Sequence, residues 1–255
     1  MSALLLALAL ACPSAPLAAS TPIVVVQEGG VPQERIDAAL ASLAEAEKAG
    51  DAEAYAKAIR ASVDAVDKRV IDHVGKALKN KDAAVATAAM DTLGRMRHPE
   101  STKALTGYYK SNKKALTDDE ARLAELLKSI GRLGDPKGVE TLIDSPFSAK
   151  SYPVIRARLL GLGNIRDASA IEGLVEMASK VGVRDLDRYM GDIRLALVQL
   201  TGQDQGDDPR QWGTWWRENK KGYEVSPEAK PLPTEMRVRW NEYWGIEEQA
   251  KGDGR

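Results

Sequence analysis

A chain of 255 residues with 44% hydrophobic and 29% charged side chains has enough apolar material to build its own core, which excludes a disordered protein. Its 36 basic and 37 acidic residues nearly cancel, so it lacks the excess of Lys and Arg that sequence-independent binding to nucleic acid requires. Ala and Leu dominate the apolar residues, there is one Phe, and β-branched runs are scarce outside residues 23–26, a mixture that predicts an all-α fold.

Residues 1–20 read as a secretory signal peptide. An unbroken apolar run at 3–11 is followed by Pro13, Pro16 and the small residues Ala18, Ala19 and Ser20, which places cleavage near Ala19 or Ser20. The run is too short to span a bilayer, and no integral membrane span is expected elsewhere. No Lys or Arg precedes it, which places the expected true start upstream of Met1. Cys12, the only cysteine, follows Leu8, Ala9, Leu10 and Ala11 in a segment that resembles a bacterial lipoprotein acylation box, although Ala9 stands where Leu is usual and Pro13 follows directly. Cys12 is therefore a candidate site for a lipid anchor. Cleavage near Ala19 would instead leave a mature chain without thiols, as suits a periplasmic or secreted protein of a bacterial envelope better than a disulfide scaffold.

Residues 21–32, broken by Gly29, Gly30 and Pro32, form an expected linker, and helical periodicity begins at 33. In 33–66, Ile36, Leu40 and Leu43 make one apolar stripe, and Asp51 with Tyr55 and Ile59 opens a second helix, as an irregular repeat or an N-terminal cap. From 67 to 220 the stripes recur: Val85, Ala89, Leu93 and Met96; Leu123, Leu126, Leu127 and Ile130; Ile155, Leu159 and Leu162; then Leu186, Met190, Ile193, Leu197 and Leu200. Between them lies a repeated turn. Helices are expected to end at Gly94, Gly131 and Gly163, where glycine tolerates a left-handed cap, and new ones to start at His98, Asp135, Asp167 and Asp208, the aspartates because a carboxylate accepts free backbone N–H groups. Pro136 and Pro209 fit the first helical position. Apolar residues follow the caps at plus four, seven and eight: Val139, Leu142 and Ile143; Ile171, Leu174 and Val175; Trp212, Trp215 and Trp216; a fainter version after His98 has Leu105. The starts are 37, 32 and 41 residues apart, the spacing of a helical repeat.

The turn, cap and frame together resemble bacterial exported HEAT-repeat proteins. The matching segments are IRARLL at 155–160 before Gly161, Leu162 and Gly163, IRLAL at 193–197 before Leu200, and ARLA at 121–124 before Ile130 and Gly131; Ala86 departs from the pattern where Arg would sit. The resemblance covers about 67–220. It implies an α-solenoid of antiparallel helix pairs (HEAT/armadillo-like), about four to six in number, with Arg122, Arg156 and Arg194 in a structural ladder between repeats. It also implies that the segment from Leu200 through Trp216 is the closing repeat. Large side chains at Trp212, Trp215 and Trp216 suit a capping helix whose outer flank has no further repeat to cover it. An exposed aromatic patch gripping a partner or a sugar is the other reading of these tryptophans.

Residues 221–255 begin as a Pro-containing linker with Pro227, Pro231 and Pro233. A short helix is expected from Glu235 to Gln249, with Met236, Trp240, Tyr243 and Trp244 near one face. That face either folds back on the helical array or docks on another protein, with Arg237 and Arg239 supplying charge. Residues 251–255 are expected to fray.

Chemistry-bearing constellations are sparse. His73 has neither metal nor nucleophile spacing, His98 is accounted for as a helix start, and no zinc, haem or Ser-His-Asp arrangement can be assembled from two histidines. Gly161 and Gly163 end a helix and do not open one after a strand, so they form no phosphate loop. Asp118, Asp119 and Glu120 follow Thr117 as a Thr-x-x-Glu capping box. Lys110, Lys113 and Lys114 are expected at a helix end, and with Tyr108 and Tyr109 they could also line a binding surface. Neither a cofactor nor a metal is implied, and the expectation is not an enzyme. It is a non-catalytic interaction or scaffold protein of the cell envelope, or a secreted one, that binds an unidentified protein or peptide. Its candidate partner-binding residues are Tyr108, Tyr109, Lys113, Trp240, Tyr243 and Trp244. The alternatives are an enzyme on a HEAT-like scaffold, phycobilin lyase-like or DNA glycosylase-like, which a positive groove lined by Trp and Asp would favour, and a purely structural envelope protein.

Overall fold

The computed structural model describes residues 30–148 and 151–247. The expected signal peptide, Cys12, most of the 21–32 linker and the end of the chain from 248 onward lie outside the described residues. The described residues are all-helical, with no strand among them and no helix long and apolar enough to cross a membrane.

Twelve helices follow one another among these residues: α1 (Gln33–Ala49), α2 (Ala52–Ala61), α3 (Lys68–Ala77), α4 (Ala83–Arg95), α5 (Pro99–Asp118), α6 (Glu120–Leu133), α7 (Val139–Ile143), α8 (Tyr152–Gly163), α9 (Ala168–Lys180), α10 (Leu186–Thr201), α11 (Pro209–Asn219) and α12 (Thr234–Trp244). Their starts are encoded locally. Asp51, Asp67, Asp82, Asp119, Asp167 and Asp208 each accept a backbone N–H of the first turn, Asp135 does so for the 3₁₀ turn leading into α7, and His98 does so through Nδ1. Each such cap contributes about 1 kcal/mol.

The first eleven helices alternate between two layers. In one, α2, α4, α6, α8 and α10 lie side by side in that order. In the other, α1, α3, α5, α7, α9 and α11 do the same, with α5 meeting the 3₁₀ turn before α7; α1 packs on α2 across the layers, and so does each consecutive pair from α3 to α10. A single apolar core runs between the layers from Ile36 to Trp216. The plus-four and plus-seven residues Val139, Leu142, Ile171 and Leu174 lie within it, as do Trp212 and, at plus eight, Trp216.

Three expectations about helix ends need correction. Gly94, Gly131 and Gly163 do not adopt the left-handed conformation; that role falls to Gly134 after α6 (φ 69°) and Gly202 after α10 (φ 66°). The three glycines lie in the last turns of α4, α6 and α8, where the next helix of the layer comes too close for a side chain. A Cβ built on Gly94 would lie 2.9 Å from Ser129 Cα, one on Gly131 2.3 Å from Gly161 Cα, and one on Gly163 2.8 Å from Ala196 Cα. They are contact points between helices, and their spacing along the chain reports where neighbouring backbones touch. The capping box at Thr117 is also replaced. α5 continues through Asp118, Asp119 caps α6 by accepting from the Arg122 N–H at 3.1 Å, and Glu120 accepts from the Ser151 N–H at 3.3 Å. Finally, α12 stops at Trp244 and not at Gln249. Gly245 turns left-handed (φ 67°) and the N–H of Ile246 closes onto the Asn241 carbonyl at 2.9 Å.

α5 is bent at Asn112 (φ −125°, ψ 16°), whose side-chain amide donates to the Tyr108 carbonyl at 2.9 Å. The break at Asn112 ends the first helical stretch of α5, so Lys110 lies in its last turn, and Lys113 and Lys114 follow the break. Lys110 pairs with Glu140 at 3.0 Å and Lys113 with Asp144 at 2.7 Å, both on the α7 side. α7 has only five residues, and its C-terminal carbonyls are satisfied from α8: the Arg158 guanidinium, 2% exposed, donates to the Thr141 and Leu142 carbonyls at 2.8 and 2.9 Å and to the Tyr109 hydroxyl at 3.4 Å. Replacing Arg158 with alanine leaves two buried carbonyls without donors and is expected to cost about 2–3 kcal/mol, read as a lower urea midpoint. A change within 0.5 kcal/mol would show that water replaces the guanidinium without loss.

Candidate functional site

The feature with most binding character is the seat of α12. Most apolar residues of α8 and α10 face the core, but Leu160 and Leu195 point away from it and are fully buried all the same. Trp240 of α12 covers both, forming a second small apolar cluster with Leu232, Met236, Tyr243 and Trp244 packed around it. A Cβ on Gly163 would lie 3.2 Å from the Trp240 ring, so the close approach of α8 and α10 also shapes the floor of this seat.

Beside the tryptophan sits a buried carboxylate. Asp192 of α10 is 1% exposed; it accepts from the Tyr152 hydroxyl and from Arg239 Nη2 of α12 at 2.8 Å, and Arg156 Nε lies 3.5 Å away. A buried charge is tolerated only with such partners, and here one of them belongs to the covering helix. Burial, together with the bond to Asp192, pushes the Tyr152 hydroxyl up to about 12, so it stays protonated and donates at neutral pH.

The far end of α12 rests on cations. Lys128 lies 4.8 Å and Arg156 5.2 Å from the Tyr243 ring centroid, and Arg132 lies 5.9 Å from that of Trp244. Burial raises the Tyr243 hydroxyl above its ordinary range and lowers Lys128. Tyr243 Oη and Trp244 Nε1 are buried without a hydrogen-bond partner among the described residues. Clefts of about 570 Å³ and 540 Å³ flank Tyr243. The first, between α6 and α8, has Lys128 and Arg156 opposite Glu120 and Glu125. The second carries Arg95, Arg97, Lys128 and Arg132 together with Asp91, Glu125 and Glu242, so acid and base are mixed.

The other residues singled out in the sequence lie elsewhere or have separate partners. Arg122 pairs with its own cap, Asp119, at 3.4 Å; Arg156 reaches from α8 to Asp192 on α10; Arg194 pairs with Asp204 at 2.7 Å and Asp207 at 3.0 Å in the loop after α10. They do not share one ladder geometry. Links between successive helix ends also come from the turns: Asn164 donates to the Gly131 and Arg132 carbonyls, and Arg166 to those of Gln199 and Leu200. Tyr108 and Tyr109 are buried, and Tyr109 donates to Asp144 at 3.1 Å, far along the chain from Trp240, Tyr243 and Trp244. Where α11 covers α9, Trp215 stacks on Trp216, Trp212 meets Trp215 edge-on, and Tyr223 meets Trp215 and Trp216 edge-on. His73, half-buried, lies 3.2 Å from the Glu47 carboxylate and edge-on to Tyr55. No group of three or more His, Cys, Asp or Glu side chains gathers as a metal site among the described residues. The sequence reading missed Asp192, Lys128, Arg132 and Arg158; the signal available was Leu160 and Leu195, apolar residues off the main stripes that announce a second covered face.

Two surface carboxylates couple stability to pH. Lys113 holds Asp144, and Arg194 holds Asp204, below the usual carboxylate range, in each case chiefly by a side-chain hydrogen bond. A lowered folded pKa contributes stability that is present above the unfolded value, near 4, and is lost as pH falls through the folded one. Melting temperature should therefore drop below about pH 4, and less steeply in Lys113→Met than in the parent; equal slopes would refute the Asp144 contribution. No protein-family model and no curated protein matches this chain.

Proposed function

We propose that the chain is an exported HEAT-like α-solenoid that works as a non-catalytic binding module or scaffold for a protein or peptide. The observation that carries this reading is the seat itself: the outer side of α6, α8 and α10 holds an aromatic, arginine-bearing helix through one tryptophan, one buried carboxylate and three cations. A surface that holds one helix this way has the chemistry to hold another.

The two-layer alternation of helices supports the solenoid reading, and the cover of α9 by Trp212 and Trp216 supports a capping role for α11. The apolar run at 3–11 and the small residues after it, read as a signal peptide, support export to the periplasm or beyond. The clefts beside Tyr243 mix Asp91, Glu125 and Glu242 with their cations, which disfavours the glycosylase-like alternative and its positive groove. Photo-crosslinkers placed at Lys128 and Arg97, and for comparison at Lys57 on α2, test the reading in the cells that make the protein. A discrete protein adduct from the first two positions and not the third is expected. No adduct at any position, or equal adducts at all three, would defeat it.

A further inference from the structure

We infer that α12 is an intramolecular occupant of a binding seat, and that the seat accepts in its place a partner helix carrying an arginine, a tryptophan next to it, and an aromatic pair three and four residues after the tryptophan. The inference deepens the binding-module reading and rests on it. The chemistry of the occupant is defined by what already sits there. Arg239 answers Asp192, Trp240 fills the hollow over Leu160 and Leu195, and Tyr243 and Trp244 lie against Lys128, Arg156 and Arg132. Charge selects among competitors: a helix without a cation at the Arg239 position would cover Asp192 with one partner fewer, and one with a carboxylate there would be repelled.

α12 buries less of itself than the helices it rests on. Trp240 is its only buried side chain, whereas α10 buries ten residues. Its outward Val238 and the adjoining Ile246 are half exposed. Tyr243 Oη and Trp244 Nε1 have no hydrogen-bond partner among the described residues, so those residues leave two buried polar atoms of its last turn unanswered. The tether, by contrast, is secured. Arg166 donates to the Ser226 and Glu228 carbonyls, and Tyr223 packs on Trp215 and Trp216. Release therefore needs movement only beyond Glu228, through a segment that contains Pro231 and Pro233. A short tether keeps α12 at an effective concentration in the millimolar range, so a partner must bind better than α12 itself or bind when α12 is loosened.

The test uses the full-length chain and a fluorescent synthetic peptide spanning residues 232–247, read by fluorescence anisotropy. Trp240→Ala loosens the occupant without touching the floor of the seat, and Arg239→Glu does so by a second route. Both variants are expected to bind the peptide at least tenfold more tightly than the parent, and adding Asp192→Asn to Trp240→Ala should weaken that binding at least tenfold. Circular dichroism and melting of each variant establish that it is folded. Equal affinity for parent and both variants, or no binding to either folded variant, would overturn the inference, as would a shift to dimers in sedimentation, which would make a second copy the occupant. If the peptide fails while crosslinking at Lys128 and Arg97 still captures a protein, the seat inference falls and the binding-module reading stands.

Discussion

Trp212→Ala is expected to destabilise the protein by about 3–5 kcal/mol, the largest loss from any single truncation in the C-terminal helices. The indole is fully buried where α11 covers α9, packs edge-on against Trp215, and donates its N–H to the Gly206 carbonyl at 2.8 Å. Truncation removes the apolar area and leaves a cavity, and it strips the Gly206 carbonyl of its donor as well. α11 is the last helix of its layer among the described residues, and only the loop carrying Tyr223 packs beyond it, so no further helix can close the gap. Amide exchange should therefore rise first in α9 and α11, while α2 to α4 keep their protection. Trp215→Ala is the internal comparison; that side chain is only partly buried and its loss should cost markedly less. Urea melts in which the two variants share one midpoint would show that Trp212 has no special burden.

Gly131→Ala is expected to destabilise by about 3 kcal/mol or more, against the usual sign. In an ordinary helix interior the substitution gains roughly 0.5–1 kcal/mol, because glycine loses more backbone freedom on folding than alanine. Here the new methyl would stand 2.3 Å from Gly161 Cα, 3.0 Å from its carbonyl carbon and 3.1 Å from its oxygen. These are backbone atoms, so no rotamer change relieves the clash and α6 and α8 must separate. Gly107→Ala, with nothing within 4 Å of the new methyl, should follow the ordinary rule and stabilise slightly. Opposite signs for the two variants in the same denaturant series would establish close approach as the reason glycine stands at 131. A stabilising Gly131→Ala would refute it.

The helix starts and the core stripe were determined by the sequence itself. A carboxylate at Asp135, Asp167 or Asp208 accepts an N–H two residues on, and Leu142 or Ile171 faces inward because of helical pitch, so both effects are contained within a turn or two of chain. The same local view misassigned Gly94, Gly131 and Gly163. A glycine near a helix end looks alike whether it bends the backbone or admits a neighbour, and only the adjoining helix, about thirty residues away, tells the two apart. The cover of Leu160 and Leu195 and the pairing of Asp192 with Tyr152, 40 residues before it, and Arg239, 47 after it, were likewise decided by tertiary structure alone. Nothing in the neighbourhood of Asp192 in the chain marks it as a buried charge. Its partners become visible only once α8, α10 and α12 are laid together, because ion pairing across the fold depends on where helices land and not on the residues beside them.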